Sequence, residues 1–347
     1  MINFRIISPC LLITICCVAV AQPQYRITKI VGRTSISDSD ANRIKNYAIG
    51  WAQALQTTDT AELFNAHRHL IEPLELDVKI SRYGRSLYGK ALKDGFQSIL
   101  SPDNDNEMAA VNALQVLSLL GTDEACGILL HHADKEWEER ASLRLWSSIG
   151  LGKSFRLGIL HSNRITLNAD MLADFASRET KWYIVARQFD SIAAMQHVPD
   201  LNSREQTDLE TQSLRLQARA LIEFINDLVV TSGADERVRA LPFVLPSLRI
   251  QLVEPALDAD ARSEAEEEIL PALIQFAEYS TTRAAGARSD AALFAAYGEA
   301  LQTAGLILDR ILNTVSSDDV SLSDHWIAGN HQVINERIEH WKSLINK

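Results

Sequence analysis

A weak internal repeat constrains this chain more than any single residue does. Sliding Glu107–Leu129 forward by 31 positions onto Glu138–Leu160 makes eight of 23 positions identical. The matches include Leu114 with Leu145, Leu120 with Leu151, Gly121 with Gly152 and Gly127 with Gly158. Unrelated segments agreeing at ~6% per position would share about one or two. Each copy reads as helix, glycine turn, helix, a unit that buries its apolar face only by stacking on a neighbour. In this register Leu114 and Leu145 hold the same core position, while Gly121 and Gly152 close the turns. Ala110, Ala113, Ala141, Gly127 and Gly158 are small enough to let helices of adjacent units approach closely.

Helical periodicity extends well beyond the repeat. Residues 22–37 alternate polar and apolar and carry Pro23 and Gly32, which predicts an extended N-terminal arm. From Asp38, apolar residues fall at helical spacing: Ile44, Ala48, Trp51 and Leu55 mark one helix. Asp59 is placed to cap a second that breaks at Pro73. A third is predicted over 81–100, and further pairs over 168–177 and 179–196. After residue 200 the helices lengthen, and apolar residues settle into the 3, 4 spacing of antiparallel bundles. Leu214, Ala218, Leu221, Ile225 and Leu228 form one such seam. A second runs through Leu241, Leu245, Leu248 and Leu252, where Pro242 and Pro246 must kink or split the helix. The last helix is expected to carry Ile327, Ile334, Ile338, Trp341 and Ile345 in one run, capped by Asp318 and Asp319.

The N-terminus reads as an export signal. Arg5 is the basic n-region, Ile6–Val18 is almost wholly apolar, and Ala19-Val20-Ala21 is a small-residue cleavage site before Gln22. Ile15 and Cys16 stand where a lipoprotein signal wants a small residue, so cleavage before Gln22 is expected rather than lipidation. Residues 1–21 are therefore a signal peptide, 22–37 the arm, 38–200 a helical repeat domain and 201–347 a long-helix bundle. The destination is the periplasm or the extracellular medium, and the remaining chain predicts no transmembrane segment. A net charge of −11 opposes nucleic acid or anionic membrane as partners. Of four cysteines, three lie in the signal and only Cys126 remains, so no intramolecular disulfide is expected.

The stretches AAVNALQVLSLLGTDEACGILL and RASLRLWSSIGLGKSFRLGIL carry a family pattern: an alanine-rich helix, a Leu-Gly turn, then a helix opening on small residues. Residues 107–160 thus resemble the short HEAT-like repeats first noted in phycobilisome lyases. The second copy departs by placing Trp146 inside its first helix and Lys153 at the turn's acidic position. The resemblance implies an α-solenoid used for protein contacts. It implies no lyase activity, because the repeat is shared by unrelated proteins and brings no catalytic motif.

Each candidate for chemistry has a structural competitor. Gly150-Leu151-Gly152-Lys153-Ser154 looks like the end of a phosphate-binding loop, but Ser147 stands where the first glycine belongs and a helix precedes it. Asp103–Glu107 resembles the start of a calcium loop, but Met108 and Leu114 occupy its glycine and glutamate positions, so a helix-capping cluster is expected. His67 and His69 diverge by about 200° on a helix and His131 and His132 by about 100°, so neither pair shares an ion; all four read as surface or interface residues. Glu264–Glu268 reads as a solvated helix face. Asn330 and His331, near Trp326 and Arg337, are the only catalytic candidates. Secreted polysaccharide lyases of the α/α-toroid type use Asn to neutralise a uronate and His, Tyr or Arg to move a proton. No Gly-x-Ser-x-Gly, His-Glu-x-x-His or Cys-x-x-Cys element occurs.

The sequence therefore predicts an all-α protein, a HEAT-like helical-hairpin solenoid followed by an antiparallel long-helix bundle. Its expected work is that of an exported, non-catalytic scaffold or adaptor that binds another protein. The alternative is a secreted α/α-toroid carbohydrate-active enzyme using Asn330 and His331. No cofactor and no metal site is predicted.

Overall fold

A computed structural model describes residues 23, 25–75, 79–255, 257–314 and 321–345. The expectations on the export signal, on a start at Gln22, and on Asp318 and Asp319 lie outside the described residues. Among the described residues there are fifteen α-helices and no strand. They are α1 (Thr28–Val31), α2 (Asp38–Ala54), α3 (Thr60–Ile71), α4 (Arg82–Phe96), α5 (Glu107–Leu117), α6 (Asp123–Ala133), α7 (Ala141–Arg156) and α8 (Ser162–Arg178). Then follow α9 (Trp182–Ala193), α10 (Ser203–Val229), α11 (Leu241–Val253), α12 (Ala259–Ala287), α13 (Ala291–Ile311), α14 (Leu322–Ala328) and α15 (His331–Ile345).

Each helix from α2 to α11 packs against the helix two further along the chain. The result is two layers: α2, α4, α6, α8, α10 and α12 in one, α3, α5, α7, α9, α11 and α13 in the other. This is the geometry of stacked helical hairpins, in which each unit buries its apolar face on the next. The stack does not stop at residue 200. α8 lies along α10 and α9 meets α11, so one buried core runs from Ile27 to Trp341. Helices do lengthen beyond that point, α10 to 27 residues and α12 to 29. The seam predicted for α10 is buried at Leu214, Ala218, Leu221, Ile225 and Leu228, and Ala265, Ile269 and Phe276 of α12 are buried as well. α13 is long and apolar enough to cross a membrane, yet its Tyr297, Leu301, Ala304 and Leu308 are buried among its neighbours.

Four expectations are corrected. The N-terminal arm is not extended throughout: it forms the single turn α1, whose Ile30 and Val31, with the preceding Ile27, are buried in the core. The repeat register is also different. Gly121 and Gly158 are the two turn glycines, at φ 57° and 65°, so the units are 37 residues apart there. Gly152 lies inside α7, where a Cβ would come within 2.7 Å of the Ser191 hydroxyl; it serves close packing of α7 on α9. Leu151, not Leu145, is then the counterpart of Leu114, and both are fully buried while Leu145 is only partly so. The predicted last helix is two: Gly329, at φ 73°, ends α14 before α15 begins, and Ile327 points outward. Finally, the split near the prolines falls at residue 240, where a 3-10 turn (Glu236–Ala240) gives way to α11. Pro242 occupies the first turn of α11, and the helix continues through Pro246.

Polar ties fix the stacking of the shorter hairpins. Arg85 donates to the carbonyls of Leu119 and Leu120 at the end of α5, both at 2.9 Å. Ser154 on α7 donates to the Ser118 carbonyl at 3.0 Å, and Ser191 on α9 to the Ser148 carbonyl at 2.7 Å. Arg144 makes two bonds to the Glu179 carboxylate, at 2.8 and 3.2 Å, with both side chains buried. Its remaining donor group reaches the Glu138 and Glu139 carbonyls.

Candidate functional site

The structure places Asn330 and His331 at the junction of α14 and α15. The Asn330 amide lies 3.3 Å from the His325 ring nitrogen, and its backbone N–H donates to the His325 carbonyl. The His331 and Trp326 rings stand nearly perpendicular, centroids 5.6 Å apart, and the Trp326 indole N–H donates to the Phe294 carbonyl. Arg337 is bound to Asp309 at 2.6 Å, which also accepts the Trp341 indole N–H at 2.7 Å. A cavity of about 440 Å³ opens between α13 and α15, lined by Asp309, Arg337 and His340 but by neither Asn330 nor His331.

Other predicted candidates take structural roles. Asn106 caps α5 by accepting from the Ala109 N–H, and Asn104 braces the preceding turn through the Ile99 carbonyl. His69 stacks on Trp51 with ring centroids 4.1 Å apart. Burial holds the His67 ring below the usual histidine range, against a hydrogen bond with Asn112. Of the acidic run at the start of α12, Glu264 pairs with Arg215 and Glu266 with Arg310. Burial pushes the Cys126 thiol up to about 12, which leaves it a protonated core residue. Among the described residues no group of three or more His, Cys, Asp or Glu is arranged to hold a metal ion.

The most site-like place in the first half of the molecule lies between α4 and α6. A groove of about 590 Å³ is floored by Phe96, Leu100 and Ile128 and bordered by Pro102, Gly127 and Trp137. Lys93, Asp94, Glu124 and His131 supply its polar edge. Trp137 is 68% exposed, an unusual position for the largest apolar side chain, with the His131 ring 5.8 Å from its own. Gly127 borders the groove from mid-helix. A Cβ there would meet nothing within 4 Å, so neither backbone geometry nor packing within the fold calls for glycine. The expectation that Gly127 serves close helix approach is therefore corrected: it leaves space open instead.

Beneath the groove sits a buried charge network that sequence reasoning missed. His132, expected at a surface, is buried and its Nδ1 lies 2.8 Å from the Glu138 carboxylate. Arg140 donates to both oxygens of that carboxylate at 2.8 Å and reaches across to the Asn104 carbonyl at 3.0 Å. Burial alone would raise the Glu138 carboxyl, but the bonds from His132 and Arg140 outweigh it and hold the group down to about 2. Glu138 therefore stays ionised and cannot serve as a general acid near neutrality. What the network does is lock the 134–140 loop that presents Trp137. The adjacency of His132 to Glu138 was invisible in sequence because it depends on that loop folding back.

No family model matches this chain, and no curated protein matches it. Among solved structures it is similar to a crystal structure described only as an engineered protein. Sequence identity is 13% and the TM-score 0.28, with 90% of this chain and 93% of that chain covered. At that score the likeness carries no argument about fold or function.

Proposed function

We propose that the protein is an exported, non-catalytic scaffold that binds a segment of another protein, using the α4–α6 groove to hold an apolar side chain of that segment. The observation that carries this reading is the combination of Gly127 and Trp137. A glycine in mid-helix costs about 0.5–1 kcal/mol relative to alanine, and here the cost serves no contact within the fold. An exposed tryptophan over an apolar floor is the kind of anchor that dominates protein interfaces. The resemblance of residues 107–160 to short HEAT-like repeats supports the same role, as does the stacked-hairpin architecture, which suits broad protein contacts. Export rests on the signal-like residues 1–21, and the partner is then met in the periplasm or the medium.

The test is co-purification from the native envelope fraction with wild-type chain, Trp137→Ala and Gly127→Trp, the last of which fills the groove. A specific partner held by the wild type and lost from both variants, with melting temperatures preserved, is the expected result. Turnover of a uronate polysaccharide that vanishes in His331→Ala would instead establish an enzyme and overturn the proposal. N-terminal sequencing of exported protein checks the address, the expected first residue being Gln22.

A further inference from the structure

The opposite layer carries a second, chemically different surface. α11 is largely apolar on its outer side as well as its inner one, which in a surface helix marks a face that something else covers. Its inner side buries Leu241, Val244, Leu245, Leu248 and Leu252. Its outer side shows Phe243, Pro246, Ile250 and Val253 at 3, 4, 3 spacing, all exposed, with the exposed Arg249 beside Ile250. Trp182 of α9 extends this strip by stacking on Phe243 at 6.0 Å.

Beside the strip a cavity of about 470 Å³ opens between α7, α9 and α11, with Ser247 as the shared border. Its charged lining is Lys153, Arg156, Arg187 and Asp190, with His197 at the edge. Arg187 and Asp190 neutralise each other at 2.7 Å. Among the described residues no carboxylate lies within 4.0 Å of Lys153 or Arg156; Lys153 sits instead over the Trp146 ring, 6.0 Å from its centroid. Two uncompensated cations facing one cavity stand out in a chain of net charge −11. At the C-terminal end of the strip the charge reverses, with Glu210 and Glu254 lining a small cavity that shares His197 with the first.

We infer that this surface docks an acidic, amphipathic segment of a partner protein, its carboxylates in the α7–α9 cavity and its apolar side chains along α11. The charge complementarity is local and directional: cations flank one edge of the strip and carboxylates its end, which sets the polarity of the bound segment. A concave site with two cations that no described carboxylate pairs suits a chain segment entering it. A flat anionic bilayer would have to approach Glu210 and Glu254 as well. This site is distinct from the α4–α6 groove and does not depend on it.

The experiment uses the purified protein and three labelled peptides read by fluorescence anisotropy. The first is helical, with leucine at every third and fourth position and glutamate elsewhere. The second replaces glutamate by lysine, and the third replaces leucine by serine. Only the first is expected to bind, with affinity falling as salt rises. Lys153→Gln with Arg156→Gln, and separately Ile250→Ser with Val253→Ser, should each weaken it by about fivefold or more. All four side chains are exposed, so both double variants should melt close to wild type. Gly127→Trp should bind the peptide normally, which separates failure here from failure of the groove reading. Equal binding of the lysine peptide, or unchanged affinity in both double variants, overturns the inference. So does a competition in which inorganic phosphate displaces the peptide, or binding to phosphatidylglycerol vesicles with none to the peptide.

Discussion

The two halves of the molecule hold their helices together by different means. From α3 to α9 the helices are short, and buried polar groups tie each unit to the next: Arg85, Arg140, Arg144 with Glu179, Ser154 and Ser191. Beyond α9, the helices α10, α12 and α13 are long and pack mainly through apolar seams, with one buried polar bond, Gln217 to Gln251, joining α10 to the shorter α11, and Arg215–Glu264 bridging neighbours in the open. Several of the short helices, α3, α5, α6 and α9, have only 11 or 12 residues and offer few apolar positions to fix their own register, so backbone carbonyls at the hairpin ends become the register marks. A helix of 27 or 29 residues has enough seam to exclude every other register. The lesson is that stacking order can be kept constant while the forces that specify it change along the chain.

The sharpest way to break this comparison is to remove one arginine from each half. Arg144→Ala leaves Glu179 buried without its partner and should cost about 3–5 kcal/mol. Arg215→Ala removes an exposed pair and should cost about 0–1 kcal/mol. Urea unfolding of both variants measures the gap; equal losses would mean that the buried ties do not set the stability of the short-helix half. Leu114→Ala, at a fully buried position, should cost about 2–5 kcal/mol, and Leu151→Ala a similar amount. Leu145→Ala should cost clearly less than either. The reverse order would restore the 31-residue register.

Acid separates the halves next. The folded Glu138 carboxyl sits at about 2, below its ordinary 4.5, so its contribution is fully present above pH 4.5 and disappears as pH falls toward 2. That difference corresponds to ~3 kcal/mol lost across the window. Unfolding midpoints followed from pH 5 to pH 2 should fall less steeply in Glu138→Gln than in wild type. The smallest effect runs the other way: Gly127→Ala should stabilise by about 0.5–1 kcal/mol, since the new methyl group meets open space. A destabilised Gly127→Ala would show that the groove is closed in solution.

Much of this architecture was legible in the chain. Ile44, Ala48, Trp51 and Leu55 lie buried on one face of α2, and Asp59 caps α3 through the N–H groups of Ala61 and Glu62. The repeat also pointed to stacked hairpins. It misled on register because identity at Gly121 and Gly152 does not distinguish a turn glycine from a packing glycine; φ at Gly158 and the nearness of Ser191 do. The sites were far less legible. Gly127 reads as a helix-packing residue until the spacing of α4 and α6 is known, and Lys153 reads as part of a turn until the fold sets Arg156 beside it with no described carboxylate near either.

What the sequence determined by itself is local: helical period, caps, turn residues and the all-α class, each set by contacts within a few positions of the chain. Only the tertiary structure decided which glycines turn the chain, which histidine is buried against Glu138, and which apolar residues of α11 remain uncovered. Those outcomes depend on how far apart the stacked helices come to rest. That distance is a sum over many side-chain contacts from distant parts of the chain, and no short stretch of sequence contains it.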